Sequence, residues 1–162
     1  MAKVIIALGS NLDNPLIQLR KAAGFLENLS LMGLKKSSIF ESEPIGPSEQ
    51  RFLNAVLEIQ TQLPPLDVLT ALKNREIEQG RSLSARRWSA RPLDLDILFY
   101  DDVILTHQKL HLPHKYWAER LFVLLPLADL FPDWKDPFDH IPIQTWIDRA
   151  PEMDIHKTDL VW

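Results

Sequence analysis

The sequence predicts an α+β fold with four strands and two helices in the order β-α-β-β-α-β, followed by an irregular C-terminal extension. Three observations carry this. Lys3–Leu8 is an unbroken apolar run of strand length. Phe52–Thr61 alternates, with Leu53, Ala55, Leu57 and Ile59 on one side and Phe52, Asn54, Val56 and Glu58 on the other. Two stretches with apolar residues at helical spacing begin at Asn14-Pro15 and Pro64-Pro65.

The elements follow in order. After the first strand, Asn14 is suited to cap a helix and Pro15 to occupy its first position. Leu16, Leu19, Ala23 and Leu26 then form the apolar stripe. Leu34–Glu41 reads as a strand, and Glu43-Pro44-Ile45-Gly46-Pro47 as a loop. The second helix carries Leu66, Leu69 and Leu72, with Gly80 just beyond its end. Leu93–Phe99 closes the set as a fourth strand. This is the split βαβ, or ferredoxin-like, arrangement. Both helices cover one sheet face, and the other face is left available for a site. From Lys109 onward the pattern becomes irregular, and Trp134, Trp146 and Trp162 are expected to pack rather than to bind ligand.

A chain of 162 residues, 46% hydrophobic and 25% charged, fits a single globular domain spanning residues 1–162. The net charge of -4 argues against general binding to nucleic acid or to a membrane surface. Without cysteine there is no disulfide and no thiol chemistry, which fits a cytoplasmic protein. The N-terminal apolar run is too short for a signal peptide, and no run reaches the length of a spanning helix. A monomer is expected.

The chemistry concentrates in residues 80–98. In a strand, Leu93, Leu95 and Ile97 turn to the helices while Asp94 and Asp96 turn together to the open face. Their Cα atoms are then roughly 6.6 Å apart. Two carboxylates so placed can converge on Mg²⁺, a cation that takes hard oxygen ligands together with substrate phosphates. Aspartate is disfavoured in strands and like charges on one face repel, so positive charge belongs beside them. Between Glu78 and Asp94 there is no acid, but there are four arginines, Arg81, Arg86, Arg87 and Arg91. Guanidinium groups grip phosphate oxygens in pairs. Arginines among small residues beside a carboxylate pair suggest phosphoryl or nucleotidyl transfer under a closing lid. On the neighbouring strand, Phe52 can stack on a flat ring, and Asn54 can read the edge of a fused heterocycle. A metal-dependent nucleotidyl transferase would use the same groups. A ferredoxin-like module binding RNA or a nucleotide is a second alternative, although the strands lack the aromatic motif of an RNA reader.

From Lys3 to about Leu127 the chain resembles the 6-hydroxymethyl-7,8-dihydropterin pyrophosphokinase family. The resemblance rests on Ala7-Leu8-Gly9-Ser10-Asn11, Ser42-Glu43-Pro44-Ile45-Gly46-Pro47, Phe52-Leu53-Asn54-Ala55, Arg87-Trp88, Leu93-Asp94-Leu95-Asp96-Ile97, Leu112-Pro113-His114 and Arg120-Leu121-Phe122. It implies transfer of pyrophosphate from ATP to 6-hydroxymethyl-7,8-dihydropterin with release of AMP. By the same resemblance Asp94 and Asp96 hold two Mg²⁺ ions, and Arg81 and Arg91 act on the phosphates. Phe52 and Phe122 sandwich the pterin, Asn54 reads its edge, Ser42, Pro44 and Ile45 line its pocket, and Trp88 closes over it. Glu76, Ile97, Lys109, His114 and Arg120 fall to the nucleotide side. The chain departs from the family pattern at Leu83, Ser89-Ala90, Pro92, Lys109 and Lys115.

Overall fold

The computed structural model describes residues 1–44, 49–80 and 92–162. In chain order the elements are β1 (Ala2–Ser10), α1 (Pro15–Leu29), β2 (Lys35–Lys36), β3 (Phe40–Ser42), β4 (Phe52–Thr61), α2 (Pro65–Glu78) and β5 (Asp94–Tyr100). There follow β6 (Leu105–Thr106), β7 (His111–Leu112), a 3-10 turn (Trp117–Glu119), α3 (Leu121–Leu130), α4 (Ile143–Arg149) and β8 (Ile155–Lys157). The main sheet runs β5-β1-β4-β3-β8, with β2 also pairing β4, and every pairing is antiparallel. Its first four members give the predicted βαββαβ core. Among the described residues no helix is long and apolar enough to cross a membrane.

Local chemistry accounts for the helix ends. Asn14 adopts a left-handed conformation (φ 59°) and its side chain accepts a hydrogen bond from the Ile17 N–H at 3.4 Å. Gly80, with φ 106°, follows α2, where a residue without a Cβ meets no steric penalty. Between the helices and the sheet lies the larger core, in which Leu19, Leu26 and Leu72 meet Ile6, Leu57 and Leu95. Each such side chain contributes roughly 1.5–3 kcal/mol through burial.

Two expectations need correction. The strand expected over 34–41 is broken into β2 and β3. Ser37 interrupts it: its hydroxyl accepts from the Val56 N–H and donates to the Ser38 carbonyl. A polar side chain that bonds the local backbone competes with a regular ladder. The second correction concerns the open face. The region after Lys109 is regular enough to cover half of it. Here α3, α4 and the 3-10 turn build a second core from Ile5, Val56, Phe99, Trp117, Leu124 and Ile143. Phe99, Trp117, Trp134 and Trp146 meet edge to face at 5.0–5.6 Å between ring centroids. Trp162 packs on the helix-side core and donates its indole N–H to the Ser37 carbonyl. The three tryptophans therefore pack, as expected.

A β-bulge separates the two halves of that face. The β1–β5 register slips between Ile5 and Ile6, so Ile5 faces Phe99 while Ile6 faces Ile97. Leu98 and Phe99 consequently both pack on the outer side, whereas Ile97 and Tyr100 belong to the helix side.

Candidate active site

The uncovered end of the sheet forms a cleft lined by Ser42, Phe52, Asn54, Asp94, Asp96, Arg120 and Phe122 among others. Strand pairing sets its floor. Gly9 lies opposite Asn54 on one side and Asp94 on the other, and Ala7 lies opposite Asp96. The smallest residues of β1 thus stand between the aromatic-amide wall of β4 and the carboxylates of β5. A Cβ at Gly9 would come within 3.6 Å of the Asn54 Oδ1 and 3.8 Å of the Phe52 ring, so any side chain there would fill the floor. Phe52 rises from the sheet, whereas Phe122 comes from the first turn of the helix that covers it.

On the β4 wall the buried Asn54 amide donates to the buried Ser42 hydroxyl at 2.8 Å. That bond leaves the amide carbonyl and the second N–H to face the cleft, a donor–acceptor edge of the kind a heterocycle matches. The Arg120 guanidinium lies 5.5 Å from the centre of the Phe122 ring and 5.3 Å from that of Tyr116, within cation–π reach of both.

On the β5 side the two carboxylates repel. Burial first, and then the Asp94 charge, push the Asp96 carboxyl up to about 6, partly offset by Lys73 and Arg120. A half-buried carboxylate whose proton affinity is raised by a second one beside it is suited to a hard cation, which removes that repulsion. Among the described residues no group of three or more acid or histidine side chains gathers to form a closed metal site. A cation held by Asp94 and Asp96 would complete its shell with water and substrate oxygens.

β5 is an edge strand, and α2 satisfies the outward backbone groups of its Leu95. The Leu95 N–H donates to Glu76 Oε1 at 2.9 Å, and the Lys73 ammonium donates to the Leu95 carbonyl at 2.9 Å. Lys73 also meets Glu76 Oε1 at 3.1 Å and Asp96 Oδ1 at 3.8 Å. His114 borders this edge, its N–H donating to the Leu98 carbonyl. Its Nδ1 accepts from the Tyr116 N–H at 3.1 Å, so the proton sits on Nε2. Burial and the Arg120 charge pull this imidazole down to about 4, so it is neutral at physiological pH.

The profile of the 7,8-dihydro-6-hydroxymethylpterin-pyrophosphokinase (HPPK) family matches residues 5–132. The chain belongs to this family. It is 44% identical over 143 residues to the 2-amino-4-hydroxy-6-hydroxymethyldihydropteridine pyrophosphokinase of Pseudomonas aeruginosa, covering 86% of this chain and 88% of that one. With the Haemophilus influenzae enzyme of the same name it shares 43% over 135 residues, 82% and 84% of the two chains. Among solved structures, an HPPK-DHPS in complex with substrates superposes with a TM-score of 0.70 at 15% identity over 91% of this chain. The Plasmodium falciparum HPPK-DHPS with pteroate gives 0.70 at 16% over 91%. This chain spans 43% and 42% of those two chains, and at such identities the likeness bears on the fold alone.

Of the residues expected to act, Ser42, Phe52, Asn54, Asp94, Asp96, Arg120 and Phe122 converge on one cleft. Glu76 and His114 stand at its β5 edge. The Ile97 side chain is sealed in the helix-side core, which leaves only its backbone for a ligand. Pro44 is half-buried just past β3, outside the cleft lining. Lys109 is exposed on the β6–β7 turn, where its N–H donates to His107 Nδ1, and it does not line the cleft. Ile45, Arg81, Arg86, Arg87, Trp88 and Arg91 lie outside the described residues. The residue-by-residue reading missed Gly9 and Lys73. Lys73 sits three residues before Glu76, and that spacing alone signals an ion pair on one helix face.

Proposed function

We propose that this member of the family transfers pyrophosphate from ATP to 6-hydroxymethyl-7,8-dihydropterin, with release of AMP, as a step of folate biosynthesis. The observation that carries the reading is the juxtaposition, across Gly9, of an aromatic-amide wall with a pair of carboxylates. One wall suits a flat heterocycle rich in hydrogen-bonding edges, and the other suits a metal–polyphosphate. Stacking on Phe52 and Phe122 fixes the plane of the pterin, and Asn54, oriented by Ser42, fixes its rotation. The hydroxymethyl oxygen then faces the β-phosphorus of ATP. It bonds to that phosphorus as the bond to the oxygen bridging the α- and β-phosphates breaks. AMP leaves with the bridging oxygen, and the hydroxyl proton passes to solvent.

Asp94 and Asp96 are the residues that would hold Mg²⁺, with two ions expected; the metal supplies charge neutralisation on the phosphates and alignment of donor and acceptor. Arg120 offers a fixed positive charge to the nucleotide. Neutral His114 offers an Nε2–H donor there rather than a base. Arg81 and Arg91 are assigned to the phosphates, and Trp88 and Ile45 to the pterin side, by family likeness. Positioning and electrostatics supply most of the acceleration, and no covalent intermediate is required.

The test mixes protein, Mg²⁺, ATP and the hydroxymethyl pterin. AMP formed only when the pterin is present supports the reading, whereas ADP, inorganic pyrophosphate or no turnover overturns it.

A further inference from the structure

Behind the wall that carries Ser42 and Phe52, on the helix side of the sheet, sits a charged cluster that the proposed reaction does not use. Arg51 directs Nε to Glu41 Oε1 at 2.8 Å and Nη1 to Asp154 Oδ2 at 3.0 Å. His156 stands 4.0 Å from the other Glu41 oxygen. Asp154 is tied in by its backbone as well: its N–H donates to Glu43 Oε1 at 3.0 Å, and its carbonyl accepts from the Glu43 N–H at 2.9 Å. Three separate segments meet here, at 41–43, at 51 and at 154–156. The family profile ends at residue 132, so the third segment lies beyond what it matches.

We infer that Asp154 and Arg51 are positioning residues for the pterin, a role that rests on reading the β4 wall as the pterin side. Two members of the cluster adjoin wall residues: Glu41 precedes Ser42, and Arg51 precedes Phe52. Ser42 and Phe52 are cross-strand partners, and Ser42 also pairs with Ile155 of β8. One guanidinium bridging carboxylates on β3 and next to β8 therefore sets how β3, β4 and the C-terminal strand stand relative to one another where the ring must stack. Exposed ion pairs add little to global stability. Small displacements of a positioning group, by contrast, cost binding of the group it positions. The consequence of losing the brace falls on the pterin, since the nucleotide side is built from β5 and α2 on the far edge of the sheet.

The test uses the full chain with Asp154→Ala, Arg51→Met and both together. KM for the pterin, kcat, the dissociation constant of a non-hydrolysable ATP analogue with Mg²⁺, and the thermal midpoint are measured for each. Either single substitution raises the pterin KM roughly two- to fivefold, the scale of a partly exposed ion-pair network. The double variant is no worse than the singles, because both break one device. The ATP-analogue constant, kcat and the midpoint stay at wild-type values. An unchanged pterin KM in both singles, a parallel loss of nucleotide affinity, or additive effects in the double variant overturns the brace. Wild-type protein that takes up no pterin overturns the reading beneath it, and the brace with it.

Discussion

The Lys73 ammonium lies 3.8 Å from the Asp96 carboxylate, reaching it past the outer edge of β5 while also bonding the Leu95 carbonyl. This cation holds the Asp96 carboxyl below where burial and Asp94 alone would put it. Lys73→Met removes that influence, so Asp96 keeps its proton to higher pH. The expected result is a raised Mg²⁺ requirement for nucleotide binding at pH 6.5 that nearly vanishes at pH 8.5. Calorimetric Mg²⁺ titrations at the two pH values check it, and an equal effect at both would contradict the coupling.

Asp96 also imposes a pH dependence on stability. Its carboxyl is raised from 3.8 to about 6 in the folded, metal-free chain. A group raised on folding stabilises below its unfolded value, and that contribution is lost as pH rises through the folded value. Between about pH 4 and 6 the wild type should therefore lose stability that Asp96→Asn keeps. Thermal melts in EDTA should show the variant gaining on the wild type across that window, although it supports no turnover. A midpoint of the variant that falls relative to the wild type with rising pH would contradict this.

Asn54→Ala removes the donor to Ser42 together with the heterocycle-facing edge. Losing a buried polar contact of this kind costs about 1–3 kcal/mol, or roughly 5- to 150-fold in affinity. Fluorescence titration with pterin should read that loss, while the ATP-analogue constant stays within twofold.

Gly9→Ala separates folding from binding. The added Cβ meets its nearest neighbours at 3.6–4.0 Å, ordinary contact distances, so the thermal midpoint should move little. The methyl group nevertheless occupies the floor between the amide wall and the carboxylates. Pterin affinity should fall by about tenfold or more, the scale of overpacking a well-fitted site. A variant that binds pterin normally would show that the ring does not lie over β1.

His114 should stay neutral from pH 5.5 to 9, since burial and Arg120 hold it near 4. Long-range ¹H–¹⁵N spectra should show the Nε2–H tautomer throughout, and a midpoint near 6.5 would contradict it.

The ferredoxin-like core was legible because each element announces itself locally. β4 alternates over its full predicted length, and the prolines at 15 and 65 open both helices. The carboxylate pair and the Phe52–Asn54 wall were legible for the same reason, since parity along a strand decides which face a residue occupies. Other features depend on distant partners. Nothing near Ser37 announces that its hydroxyl would bond Val56 and split a strand. The C-terminal region looked irregular because its apolar residues serve a sheet face set by residues 5, 56 and 99. Gly9 gains meaning only through its two cross-strand neighbours, and Lys73 only when β5 is seen to be an edge.

The extra residue in β5 at Leu98 has its own consequence. Regular alternation would carry the parity of Asp94 and Asp96 on through residue 100 and turn Phe99 toward α1 and α2. The slip instead lets one ribbon present charge at one end and an aromatic anchor at the other, both outward. Flattening the bulge while keeping every residue would put that anchor on the wrong side, unseating the tryptophan layer against which Phe122 packs. The extra residue in this strand thus shapes the candidate site as much as its carboxylates do.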